Sequence, residues 1–114
     1  MASSYRIIDI RPQYGNSGDK IRLDWNGNNG GLIYMTVQNA SGSFISPKRL
    51  RFDLQRKQDG VWYYESHWWF DYGGRFGYTF NRTFYNTWAN YQYRIIVKEY
   101  ETGKFLGQSY TINN

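Results

Sequence analysis

Apolar side chains recur at every second position along almost the whole chain, and no long stretch shows the three-and-four spacing of an amphipathic helix. The alternation is cleanest at 20–25, where Ile21, Leu23 and Trp25 share one side and Lys20, Arg22 and Asp24 the other. It groups Ile33, Met35 and Val37 in 32–37, and Leu50, Phe52 and Leu54 in 49–57. It also groups Phe76, Tyr78 and Phe80 in 75–81, and Tyr91, Tyr93, Ile95 and Val97 in 91–100. Runs at 5–11, 61–65 and 105–112 complete about eight strands. Asp59-Gly60 suits the left-handed backbone of a tight hairpin turn, and the Asn/Gly run at 26–31 is a loop. Two stretches depart from the pattern. Residues 67–74 break the alternation, and 83–89 fits no strand period and reads as a single helical turn.

No segment is long enough to be a helix bridging parallel strands, so the sheets are expected to be antiparallel. The expected fold is all-β: an antiparallel two-sheet sandwich forming a single domain over 1–114, with no long helix. A chain of 114 residues suits one domain. The expected core comprises Ile21, Leu23, Trp25, Ile33, Met35, Leu50, Phe52, Leu54, Phe76, Tyr78, Phe80, Ile95 and Val97.

The C-terminal third resembles the last two strands of immunoglobulin-like and fibronectin type III-like sandwiches. The residues that carry the likeness are Asn90-Tyr91-Gln92-Tyr93-Arg94-Ile95-Ile96-Val97-Lys98, a Gly-containing turn, and Lys104-Phe105-Leu106-Gly107-Gln108-Ser109. The resemblance implies an immunoglobulin-like arrangement with a tyrosine corner, a Tyr whose hydroxyl ties the penultimate strand to the connection before it. Tyr91 is the first candidate and Tyr93 the second. The likeness extends to 19–25 as a strand placing Trp25 in the core, and departs from immunoglobulin domains in lacking both cysteines. It implies no function, because such sandwiches host many.

Several chemistries are excluded or disfavoured. With no cysteine there is neither a disulfide framework nor a thiolate site, and a single histidine argues against zinc. No calcium-loop or phosphate-loop pattern is present, so no metal or cofactor is expected. No apolar run approaches the roughly 18 residues of a transmembrane helix. His67 is the only candidate base for a triad with Ser66 or Ser109 and Asp71, and no nucleophile elbow accompanies it. Asp53, Glu65 and Asp71 are the carboxylates that strand pairing can bring near one another, and arginines stand ready to pair with each. The protein is therefore expected not to be an enzyme. Met1-Ala2-Ser3-Ser4 opens no signal-peptide pattern, and the Asn-, Gly- and aromatic-rich composition suggests a mature secreted protein, with a cytoplasmic one as the alternative.

The most informative cluster is aromatic. The chain is 21% Phe, Trp and Tyr, and Trp62, Tyr63, Tyr64, Trp68, Trp69, Phe70 and Tyr72 fall within 62–72. Successive strand side chains face opposite ways, so consecutive rings cannot all enter one core. Some must point outward, unless a bent segment buries rings on both sides. Outward rings stack on sugars, bases or protein partners. The expected ligand-binding residues are Trp62, Tyr64, His67, Trp68, Trp69, Tyr72 and Arg75, with His67 as a pH-sensitive polar contact. Arg22, Arg49, Arg51, Arg56, Lys57, Arg94 and Lys98 form outward basic stripes that Asp24, Asp53 and Glu99 interrupt, and no RNP-type motif is present, which disfavours nucleic acid. The expected function is that of a small non-enzymatic binding protein recognising a glycan or another surface macromolecule, such as a protein. The alternative is a secreted basic antimicrobial or inhibitor. Its formal charge of +5 would draw it into peripheral contact with an anionic cell envelope or to a partner enzyme.

Overall fold

The computed structural model describes residues 2–11, 19–27, 30–75 and 77–114. These residues form nine strands: β1 Ala2–Asp9, β2 Lys20–Gly27, β3 Ile33–Asn39, β4 Ile45–Gln58, β5 Val61–Gly74, β6 Thr79–Phe84, β7 Gln92–Glu99, β8 Phe105–Gln108 and β9 Ile112–Asn113. All pairings are antiparallel. One sheet runs β1-β2-β3-β6, and the other runs β5-β4-β7-β8 with β9 also on β7. The fold is thus the all-β, two-sheet architecture that the alternation demands.

Local chemistry sets the turns. Asp59 (φ 54°) and Gly60 (φ 79°) both take the left-handed backbone of the β4–β5 hairpin, whose last pair is Gln58 with Val61. At the edge where β1 meets β8, the absent side chain of Gly107 admits Ile8; a Cβ there would stand 2.9 Å from its Cγ2. The buried side chain of Asn39 closes the end of β3. Its Nδ2 donates to the carbonyls of Ser43 and Gly74, both at 3.0 Å, and its Oδ1 accepts from Ser41 N–H at 2.8 Å and Ser41 hydroxyl at 2.7 Å. All four hydrogen bonds open to an amide are made, which offsets its burial.

Between the sheets lie Ile21, Leu23, Trp25, Ile33, Met35, Val37, Leu50, Phe52, Leu54, Ile95 and Val97, all buried. Ile8, Ile10, Ile45, Phe70, Tyr72, Phe84, Tyr93 and Ile112 join them. Phe70 is the aromatic hub, stacked on Phe52 at 5.1 Å and on Phe80 at 4.5 Å between ring centroids.

Four expectations change. Tyr78 is exposed just before β6, its ring lying against those of Tyr72 and Phe80 at 5.9 Å each, while its carbonyl accepts the Tyr72 hydroxyl at 2.7 Å. Phe80 is only half-buried, and Phe76 lies outside the described residues. The stretch 83–89 forms no helical turn: β6 extends through Phe84 and an irregular connection follows. Finally, it is Tyr93, not Tyr91, whose buried hydroxyl holds that connection, accepting the Trp88 N–H at 2.7 Å.

Candidate functional site

The segment at 67–74, where the alternation breaks down, is the second half of one 14-residue strand, β5. A bulge resolves the conflict. Leu54 pairs with Ser66 and Gln55 with Tyr64, so Glu65 is the extra residue, skipped by the backbone register with β4. One inserted residue switches which parity faces out. Before it Trp62 and Tyr64 point away from the core, and after it His67, Trp69 and Asp71 do. Four of the seven expected site residues, Trp62, Tyr64, His67 and Trp69, therefore share the outer face of the second sheet.

The bulge turns two others inward, correcting the expectation for them. Trp68 packs against the core and donates its indole N–H to the Thr83 carbonyl at 3.0 Å, bridging β5 to β6. Tyr72 is fully buried, and that burial raises its phenol pKa well above the ordinary tyrosine range. Arg75 is exposed in the bend after β5, beside a separate depression with Phe44 and Tyr78, at the opposite end of the strand from Trp62. It is not part of the same face.

Rows of paired residues cross this face. Asp71 meets Arg49, with Nε to Oδ1 at 2.9 Å, and this hydrogen bond holds the Asp71 carboxyl below the usual carboxylate range. Arg49 also lies over Trp69 at 4.8 Å from Cζ to ring centroid, and Trp69 leans on Tyr100 at 5.1 Å between centroids. His67 is opposite Asp53, which is opposite Ile96 on β7. The Asp53 side chain is only 4% exposed, and Arg51 (2.5 Å) and Lys98 (3.2 Å) both neutralise it. Tyr64 hydroxyl and His67 Nδ1 share a hydrogen bond of 2.5 Å. Gln55 accepts from Arg94 Nε at 2.7 Å, and the Arg94 guanidinium sits over Trp62 at 4.4 Å. Lys57 is opposite Trp62, with its Nζ 5.8 Å from the ring.

The cations divide into two kinds. Hydrogen bonds donated to Asp71 and Asp53 raise the pKa of Arg49 and Arg51. Arg94 has no carboxylate partner among the described residues, and burial lowers its pKa from the ordinary arginine value. Lys57 likewise has no ion-pair partner among them.

The carboxylates considered for paired acid–base work do not meet one another. Asp53 and Asp71 each hold an arginine, and Glu65 is bonded to Arg56 on the far side of the bulge. Ser109 is buried with its Oγ accepting the Ile95 N–H at 2.9 Å, away from His67. No group of three or more His, Asp or Glu among the described residues could hold a metal ion, and no helix long and apolar enough to cross a membrane occurs among them.

Sequence reasoning missed Tyr100 and Phe105 as exposed rings at the margin of this sheet. Tyr100 carried a signal, since it continues the even-numbered outward series of Arg94, Ile96 and Lys98 on β7. No protein-family model, curated protein or solved structure matches the chain.

Proposed function

We propose that this protein is a non-enzymatic binding domain that recognises a glycan through the outer face of its β5-β4-β7-β8 sheet. One observation carries the reading: the Glu65 bulge aligns Trp62, Tyr64, His67 and Trp69 on one outward surface. Tyr64 is 53% and Trp69 46% exposed, so both rings offer area to a planar ligand. Held by neighbouring side chains, they lose little conformational entropy on binding. The side-chain amides and guanidinium groups between them supply the hydrogen-bond donors that sugar hydroxyls require. A secreted location accompanies this reading. The experiment is a glycan array probed with the wild-type protein and with Trp69→Ala. Retention of at least one polysaccharide by the wild type, lost in the variant, supports it; no retained carbohydrate refutes it.

A second reading rests on the cation excess of the same face, where Arg94 and Lys57 have no carboxylate partner among the described residues. A basic antimicrobial protein acting on an anionic envelope would use that charge. It would inhibit bacterial growth and lose potency as added salt screens it.

A further inference from the structure

We infer that the Trp62 end of the face is a subsite for an acidic sugar residue, one bearing a carboxylate or a sulfate; this rests on the glycan reading above. Along the rest of the face cations meet carboxylates, Arg49 with Asp71, and Arg51 and Lys98 with Asp53. Around Trp62, among the described residues, they do not. Arg94 and Lys57 approach the same indole from neighbouring strands, and their positive ends are left to an external anion.

Arg94 is also held in place. Its Nε is used by Gln55 and its Cζ lies over the indole, which leaves the two terminal nitrogens as the fork that can meet a ligand. Such a fork matches the two oxygens of a carboxylate or sulfate. Trp62 here is a positioning residue, with one face covered by Arg94, while Tyr64 and Trp69 provide the open stacking area.

The surroundings suit a sugar more than a bare ion. Lys57, Gln92 and Asn113 stand side by side across β4, β7 and β9. They border a polar depression of about 670 Å³ that Asn90 and Asp59 also line. Amide side chains pair with hydroxyls as both donor and acceptor. The Asp59 carboxylate accepts from hydroxyls and disfavours a second negative charge at that rim, which confines the acid group to the Arg94–Lys57 side.

The test uses the full chain and matched polymers: polygalacturonate against its fully methyl-esterified form, and dextran sulfate against dextran, with polyglutamate as an anion that is not a sugar. Binding is measured by calorimetry at fixed ionic strength. The expected result is at least a tenfold preference for one acidic polymer over its neutral partner, about 1.4 kcal/mol. Which pair shows it distinguishes carboxylate from sulfate. Arg94→Gln should bring the ratio near one while Tyr64→Ala weakens both members of the pair. Should Arg94→Gln fail to fold, Lys57→Gln carries the same test, with a threefold or larger fall in the ratio expected. Equal binding of acidic and neutral polymers overturns the inference and leaves the glycan reading standing. Polyglutamate binding as tight as that of the acidic sugar overturns it as simple charge attraction. No binding of any carbohydrate overturns both.

Discussion

The guanidinium of Arg94 rests on the indole of Trp62, 4.4 Å from Cζ to ring centroid, with Gln55 fixing its Nε from the adjacent strand. The pair spans β7 and β5 across β4, although its members are far apart in sequence. It exists because the Glu65 bulge lets Trp62 and Tyr64 share a face with His67 and Trp69.

The bulge makes its own prediction. Deleting Glu65 removes the inserted residue, so β5 must either turn Trp62 and Tyr64 toward the core side or slip against β4. The deletion should lower stability by roughly 2 kcal/mol or more and abolish binding. Urea unfolding and a binding isotherm read the two effects. Glu65→Ala keeps the residue count, loses only the ion pair with Arg56, and should bind as the wild type does.

Trp68 and Trp69 are sequence neighbours with opposite surroundings, one packed on the core and bonded to Thr83, the other 46% exposed. Trp68→Ala should cost about 2–4 kcal/mol, as a packed aromatic and an indole hydrogen bond are lost together. Trp69→Ala should cost less than about 1 kcal/mol, mainly the contact with Arg49. Denaturant midpoints of the two variants check the order.

Tyr93 and Tyr91 separate in the same way. Tyr93→Phe removes the acceptor of the Trp88 N–H and should destabilise by about 0.5–1.5 kcal/mol. Tyr91→Phe should change stability by no more than about 0.5 kcal/mol. Comparing the melting temperatures of the two proteins decides which tyrosine anchors the connection.

Glu99 gives a pH dependence. The Lys48 ammonium at 2.7 Å, and then the Thr102 hydroxyl at 2.7 Å, hold its carboxyl below the usual carboxylate range. A folded-state pKa below the unfolded value of about 4.3 means that the folded state favours the ionised form. The stability it contributes is complete above that unfolded value and is lost as pH falls through the folded pKa. Glu99→Gln should lower stability at pH 7 and flatten its decline over the acidic range. Urea titrations of both proteins from pH 7 to pH 3 measure the difference.

The strand core was legible because burial on one face leaves a two-residue period, and Ile21, Leu23 and Trp25 carried that signal without interruption. β5 did not. Val61-Trp62-Tyr63-Tyr64 and Trp68-Trp69-Phe70 are apolar at consecutive positions, so no parity could be assigned, and a bulge is a property of pairing with β4 rather than of β5 alone. The aromatic cluster was legible as a place, while the separation of Trp62, Tyr64, His67 and Trp69 from Trp68 and Tyr72 was not. The anchoring role of Tyr93 was ambiguous for a related reason. Tyr91 and Tyr93 have the same parity, and only the path of the preceding connection brings the Trp88 N–H to one of them. Arg94 and Lys57 were visible as basic residues, but that no carboxylate among the described residues pairs with them depends on cross-strand register.

The most direct measurement is a calorimetric titration of an array-selected polysaccharide into the wild type and into Tyr64→Ala/Trp69→Ala, with the thermal midpoint of each protein recorded. The double variant is expected to lose at least about tenfold in affinity, or 1.4 kcal/mol, while its midpoint falls by only a few degrees. Undiminished affinity in a folded double variant would contradict binding through this face, because the outward rings would then take no part in binding.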